Sequence, residues 1–215
     1  MSLNNKRAAI FDMDGVLVVN MHVHELAFYE FGKRHGVEIT REFFYEKICG
    51  NTNQRIMPMI FGAISEEEIE RLSSEKETIY RELYTPQLEL AKGLQFFLDK
   101  LYAQQIPMAI ASNAPVENVE FVVNALGLEK YFQIILHVAS VAKPKPAPDM
   151  FLKAAELMGT KPANCVVFED APSGIRSAKE AGMKTVALLT THTKEEFASV
   201  DRFIDHFEEL DFETI

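Results

Sequence analysis

Cysteine is scarce in this chain: Cys49 and Cys165 are the only two in 215 residues. That excludes a disulfide-stapled scaffold and fits a reducing compartment, so a cytoplasmic protein is expected. Both cysteines sit in apolar-leaning sequence and read as buried free thiols. Long apolar runs are absent. No stretch approaches the length of a membrane span, and no apolar run of signal-peptide type follows the basic start MSLNNKRAAIF. Cations are outnumbered by anions, giving a formal net charge of -10. Such an excess repels nucleic acid and anionic membrane, which leaves small molecules as the expected partners. An acidic protein that handles an anion needs a local cationic pocket or a metal ion. Internal repeats and low-complexity segments are also missing, so nothing in the sequence points to a solenoid.

What is present is an alternation of short apolar runs with amphipathic stretches. Ala8–Phe11, Met108–Ala111, Cys165–Phe168 and Thr185–Leu188 read as strands apolar enough for a parallel sheet covered on both faces. A last strand is expected around Phe203-Ile204, within an amphipathic tail running from Glu195 to Ile215. Helical patterns run over Gly93–Gln104, Val116–Leu126, Asp149–Met158 and Ser173–Ala181, with Gly127, Gly159 and Gly182 as stops. The alternation predicts a doubly wound, Rossmann-like α/β core. From Asn20 to Ala91 no strand is expected. Glu25–Arg34 and Glu66–Leu83 read as helices, the second as a solvated helix with a buried stripe of Ile69, Leu72 and Ile79. The expected organisation is a discontinuous core of residues 1–19 and 92–215 with a helical cap at 20–91.

The first strand ends in Phe11-Asp12-Met13-Asp14-Gly15. Residues two apart on an extended backbone face the same side, so Asp12 and Asp14 can address one atom from one direction. The carboxyl ends of parallel strands form the ligand crevice of such folds. The strand at 165–168 is followed by Glu169 and Asp170. Adjacent carboxylates repel unless a cation joins them, and with Asp12 they make a hard-oxygen set suited to Mg²⁺.

The segment DMDGVL resembles the first motif of the haloacid dehalogenase superfamily, a strand followed by Asp-x-Asp-Gly. The remaining motifs of that family follow in order. Ser112-Asn113 ends the second strand, where the family carries a Ser or Thr. Lys145 precedes Pro146-Ala147-Pro148-Asp149, with Lys143 also before a proline and kept as an alternative. Glu169-Asp170 leads into SGIRSAKEAG, the family's acidic pair and following helix.

The resemblance implies an aspartyl-phosphate mechanism. Asp12 would be the nucleophile, Asp14 the acid and then the base, and Lys145 the charge neutraliser. Ser112, with the amide of Asn113, would hold the phosphoryl oxygens. Mg²⁺ would sit on Asp12, Asp14 through its carbonyl, Asp170 and Glu169. Dehalogenases of the superfamily lack the second Asp of the pair, so Asp14 points to phosphoryl transfer. The resemblance also implies that the insertion is a cap with Asn20, His24 and the Gly50–Asn53 turn in cap-facing positions. The β-phosphoglucomutase branch carries an Arg in that turn, to grip a second phosphate; here the residue is Asn53. The expectation is therefore a Mg²⁺-dependent phosphatase of a small phosphorylated metabolite. A phosphomutase and a non-catalytic phosphate-binding module are the alternatives, and a monomer and a homodimer are equally open.

Overall fold

The computed structural model describes residues 7–49 and 51–210. The chain start through Lys6, Gly50 of the expected turn, and the tail from residue 211 lie outside the described residues. The chain divides into two compact units, Met1–Val19 with Glu89–Ile215, and Asn20–Leu88.

In the first unit, β1 (Ala8–Phe11), β2 (Met108–Ala111), β3 (Ile134–Leu136), β4 (Cys165–Glu169), β5 (Lys184–Leu188) and β6 (Arg202–Ile204) form one sheet in the order β3-β2-β1-β4-β5-β6. Every pairing is parallel. All four residues of β1 and all four of β2 are buried, as a strand covered on both faces requires. Successive side chains serve opposite faces. Ala8, Ile10, Ala109, Ala111, Cys165 and Val167 pack with Met150, Phe151, Ala154 and Ala178 from the helices at Asp149–Leu157 and Pro172–Glu180. Phe11 and Phe168 face the other way and stack with ring centroids 4.7 Å apart. Phe97 and Phe207 close on both of these rings.

Strand order reverses at β1, since β2 lies on one side of it and β4 on the other. The carboxyl end of β1 is therefore a topological switch point, where open α/β sheets hold their ligands. The residue placed there is Asp12.

The second unit is helical. It contains α1 (Met21–Arg34), α2 (Arg41–Phe43) running into a π turn at Phe44–Ile48, α3 (Asn53–Phe61) and α4 (Glu66–Tyr84). Val23, Ala27, Phe28, Phe31, Phe44, Met57, Leu72 and Ile79 are buried. Ser65 caps α4 by accepting from the Glu68 amide at 3.2 Å, and Glu66, Glu67 and Glu68 complement the positive end of the helix. The later helices of the first unit are α5 (Leu94–Ala103), α6 (Val116–Leu126), α7 (Asp149–Leu157) and α8 (Pro172–Glu180).

Several features depart from the sequence reading, among them the unforeseen helices α2 and α3. β3 was not expected, because an edge strand of three residues, two of them only half-buried, carries too little pattern. The charged helix α4 is not simply solvated: Lys76 and Glu77 are both buried, and their side chains pair at 2.6 Å. Cys165 is a buried free thiol, whereas Cys49 is only half-buried, with its Sγ 3.8 Å from Met21 Sδ.

Candidate active site

The backbone of Asp12 continues the sheet hydrogen bonding, its amide donating to Phe168 O at 2.9 Å. Beyond it the chain folds tightly, with Leu17 N bonded to Met13 O and Gly15 N to Val18 O. Gly15 turns with φ +80°, and a β-carbon there would stand 1.9 Å from Asp170 Oδ2. Both the turn and the close approach require glycine.

Lys145 reaches this point from the loop before α7. Its Nζ donates to Asp12 Oδ1 at 2.6 Å and to Glu169 Oε1 at 2.7 Å. The Asn113 side chain holds the loop from β2. Its Oδ1 accepts from Lys145 N and its Nδ2 donates to Lys145 O, both at 3.1 Å. Lys143 is exposed, so of the two lysines in the proline-rich loop it is Lys145 that meets the acids.

Both oxygens of Glu169 are engaged by donors. Lys145 takes one oxygen, while the amides of Asp170 and Ala171 donate to the other at 2.9 and 3.0 Å. Gly174 packs so closely that a β-carbon would fall 1.7 Å from Glu169 Oε1. Side-chain oxygens of Asp12, Glu169 and Asp170 lie within 4.8 Å of one another, and all three residues are buried. Asp14 is half-buried, and its charge acts on Asp12. Ser112 is buried at the tip of β2, where its Oγ accepts from Ala114 N at 3.0 Å.

The electrostatics are lopsided. Burial pushes the Asp12 carboxyl upward; Lys145 opposes this, and Glu169 and Asp14 reinforce it. Asp170 is raised well above the ordinary carboxylate range by burial, then by Glu169 and Asp12. Burial works against the Lys145 charge, but Asp12 and Glu169 prevail and hold its pKa above that of an ordinary lysine. One ammonium cannot balance three buried carboxylates. A divalent cation would relieve the excess, and the all-oxygen donor set fits a hard ion.

The expected cap residues gather within the second unit. Asn20 Nδ2 donates to Tyr80 OH at 2.6 Å. His24 stacks on Tyr80 at 4.0 Å, and its Nδ1 lies 3.4 Å from Lys76 Nζ. Asn53 Nδ2 donates to Glu77 Oε1 at 2.8 Å. Burial opposes the Glu77 charge, but Lys76, His24 and the Asn53 bond pull its pKa down to about 2.

Sequence reasoning missed Thr190 and Thr191, just after β5. Thr190 Oγ1 donates to Gly15 O at 2.6 Å, and Thr191 Oγ1 donates to Asp170 Oδ2 at 2.5 Å. Their signal was a Thr-Thr pair at a strand tip, which by itself looks like any turn.

An acid-rich switch point served by a lysine from a neighbouring loop is the arrangement of haloacid dehalogenase-like hydrolases, and the chain belongs to that family, whose model matches residues 9–188. Within it the chain falls in the β-phosphoglucomutase-like branch. The chain is 29% identical over 204 residues to the chloroplastic 5-amino-6-(5-phospho-D-ribitylamino)uracil phosphatase of Arabidopsis thaliana, covering 94% of this chain and 55% of that longer protein. It is 30% identical to the β-phosphoglucomutase of Bacillus subtilis (strain 168), covering 85% of this chain and 83% of that protein. Among solved structures it resembles a family IA, variant 3 hydrolase of Entamoeba histolytica HM-1:IMSS, with TM-score 0.90 and 31% identity over 96% of each chain.

Proposed function

We propose that this enzyme is a phosphatase that hydrolyses a small phosphorylated metabolite, of the sugar phosphate class, through a phosphoryl group carried on Asp12. The observation that carries the reading is the buried meeting of Asp12, Lys145, Glu169 and Asp170. A phosphatase among the relatives supports the reaction class.

Asp12 attacks phosphorus in line with the leaving oxygen. A bond forms between the carboxylate oxygen and phosphorus as the ester P–O bond breaks. Asp14 gives its proton to the leaving oxygen, then takes one from the water that attacks the aspartyl-phosphate, releasing inorganic phosphate and restoring Asp12. Lys145 neutralises charge on Asp12 and on the transferring group. The Ser112 hydroxyl already accepts from Ala114 N, which leaves its hydrogen for a phosphoryl oxygen, beside the Asn113 amide. Glu169, with both oxygens engaged, orients Lys145 and would support the metal directly or through water. Mg²⁺ would be held by Asp12, Asp170 and the Asp14 carbonyl, and when bound it supplies positive charge to the phosphoryl oxygens.

Two features favour hydrolysis over mutase chemistry. Asn53 stands where the mutase branch carries an Arg, and its amide is committed to the Glu77 carboxylate. A turn backed by a buried carboxylate is a poor grip for a second phosphate. In this reading Asn20, His24 and Asn53 belong to the cap that selects the substrate.

The test is phosphate release from a panel of sugar phosphates and related esters with Mg²⁺. Turnover of one or a few of them is expected. If none is hydrolysed while β-glucose 1-phosphate is isomerised in the presence of a bisphosphate primer, the protein is a mutase. Tight phosphate binding with neither reaction would make it a binding module.

A further inference from the structure

The two threonines after β5 have no part in the mechanism above, yet they join three separate segments of the site. Leu189 N donates to Ile204 O at 2.9 Å, which ties the loop base to the neighbouring strand. From there Thr190 grips the β1 turn through Gly15 O, and Thr191 grips the tip of β4 through Asp170 Oδ2. The same Oδ2 is pressed against the bare Cα of Gly15, where a β-carbon would come within 1.9 Å. One oxygen of Asp170 is therefore fixed by a hydroxyl donor on one side and by backbone on another. The carboxylate has little freedom to rotate.

We propose that Thr191 is a positioning residue that restrains the Asp170 carboxylate and thereby biases the site toward a small divalent cation, Mg²⁺, over a larger one such as Ca²⁺. The inference rests on the reading of Asp170 as a metal ligand. Mg²⁺ demands nearly ideal octahedral placement of its ligands, whereas Ca²⁺ accepts flexible carboxylates that turn to offer both oxygens. A carboxylate held by one oxygen suits the stricter ion. Partners that hold a ligand in place commonly contribute 10–100-fold to metal affinity. Thr190 acts on the same assembly from the other side, by holding the turn that carries Asp14 and Gly15.

The test is calorimetric titration of the metal-free protein with MgCl₂ and separately with CaCl₂. Wild type is compared with Thr191→Ser, Thr191→Val and Thr191→Ala, and thermal unfolding in EDTA is measured beside each. Thr191 lies half-buried in a loop, so unfolding in EDTA is expected to stay close to wild type. Alanine carries the test if valine crowds the loop. Thr191→Ser is expected to keep wild-type affinities, because it keeps the donor. Thr191→Val and Thr191→Ala are expected to weaken Mg²⁺ about tenfold and Ca²⁺ less, narrowing the preference. Wild-type Mg²⁺ affinity and an unchanged Mg²⁺/Ca²⁺ ratio in both variants would overturn the role of Thr191 alone. A wild-type protein that takes up neither cation would overturn that role together with the metal reading.

Discussion

Two lysines are buried among the described residues, one in each unit, and they sit in opposite kinds of charge balance. Lys76 in the helical unit pairs with one buried carboxylate, Glu77, and lies over the ring of Phe28 at 4.7 Å. The pair sums to zero, and Glu77 is left with a depressed pKa, comfortable as an anion. Lys145 in the α/β unit also lies over a ring, Phe151, at the same distance. It meets two carboxylates and has a third close by, and Asp12 and Asp170 are pushed upward. The local chemistry is alike, but one cluster is complete and the other has more buried carboxyl groups than its one ammonium can balance. A protein keeps such an excess where a cation or reacting group completes it. In the proposed reading, burial of charge alone does not mark a catalytic centre; the imbalance does.

Substitutions in either cluster separate a structural ion pair from a reactive one. The largest expected effect is from Asp12→Asn, which removes the proposed nucleophile and should lower phosphate release by at least about 10⁴-fold in a steady-state assay. Lys145→Met should follow, with a loss of roughly 10³-fold in kcat, because the developing charge loses its fixed cation. In the other unit Lys76→Met strands Glu77 and should appear first in stability, as a loss of about 3 kcal/mol in denaturant unfolding. Added Mg²⁺ should not restore it. An equal loss of stability from Lys145→Met, unaffected by Mg²⁺, would mean that both clusters are structural.

The smallest effect sharpens the sign. Glu77 has a folded pKa of about 2, below its ordinary value of 4.5, so its ionisation stabilises the fold above that ordinary value. The contribution is lost as pH falls through the folded pKa. Glu77→Gln should therefore cost about 2 kcal/mol at pH 7. The gap from wild type should shrink below pH 4.5 and close near pH 2. Unfolding curves at a series of pH values check this, and a gap that widens on acidification would reverse the assignment.

Much of the α/β unit was legible because its strands are continuous apolar runs that end in chemistry-bearing residues. β1 and β2 fall on the expected residues, and Asp12, Ser112 and Glu169-Asp170 stand at strand tips as read. The loop lysine was narrowed to two by its prolines, and the fold then brought Lys145 inward. The helical unit was less legible. α3 contains Pro58, which masks a helical pattern, and α2 runs into a π turn that breaks the 3.6-residue period. Lys76 and Glu77 looked like solvent charges because adjacent residues of opposite sign suit a wet helix face, and their burial is decided by tertiary partners such as Asn53 and Phe28. Thr191 was invisible for the same reason: its partner, Asp170, is 21 residues away.

The central claim is a covalent phosphoryl group on Asp12, and the most direct measurement is to trap it. The protein would be mixed with a turned-over sugar phosphate and Mg²⁺, quenched with borohydride and digested for mass spectrometry. Reduction of an aspartyl-phosphate gives homoserine, so homoserine at position 12 and nowhere else is the expected result. Steady turnover with unmodified Asp12, or homoserine at another aspartate, would contradict the account.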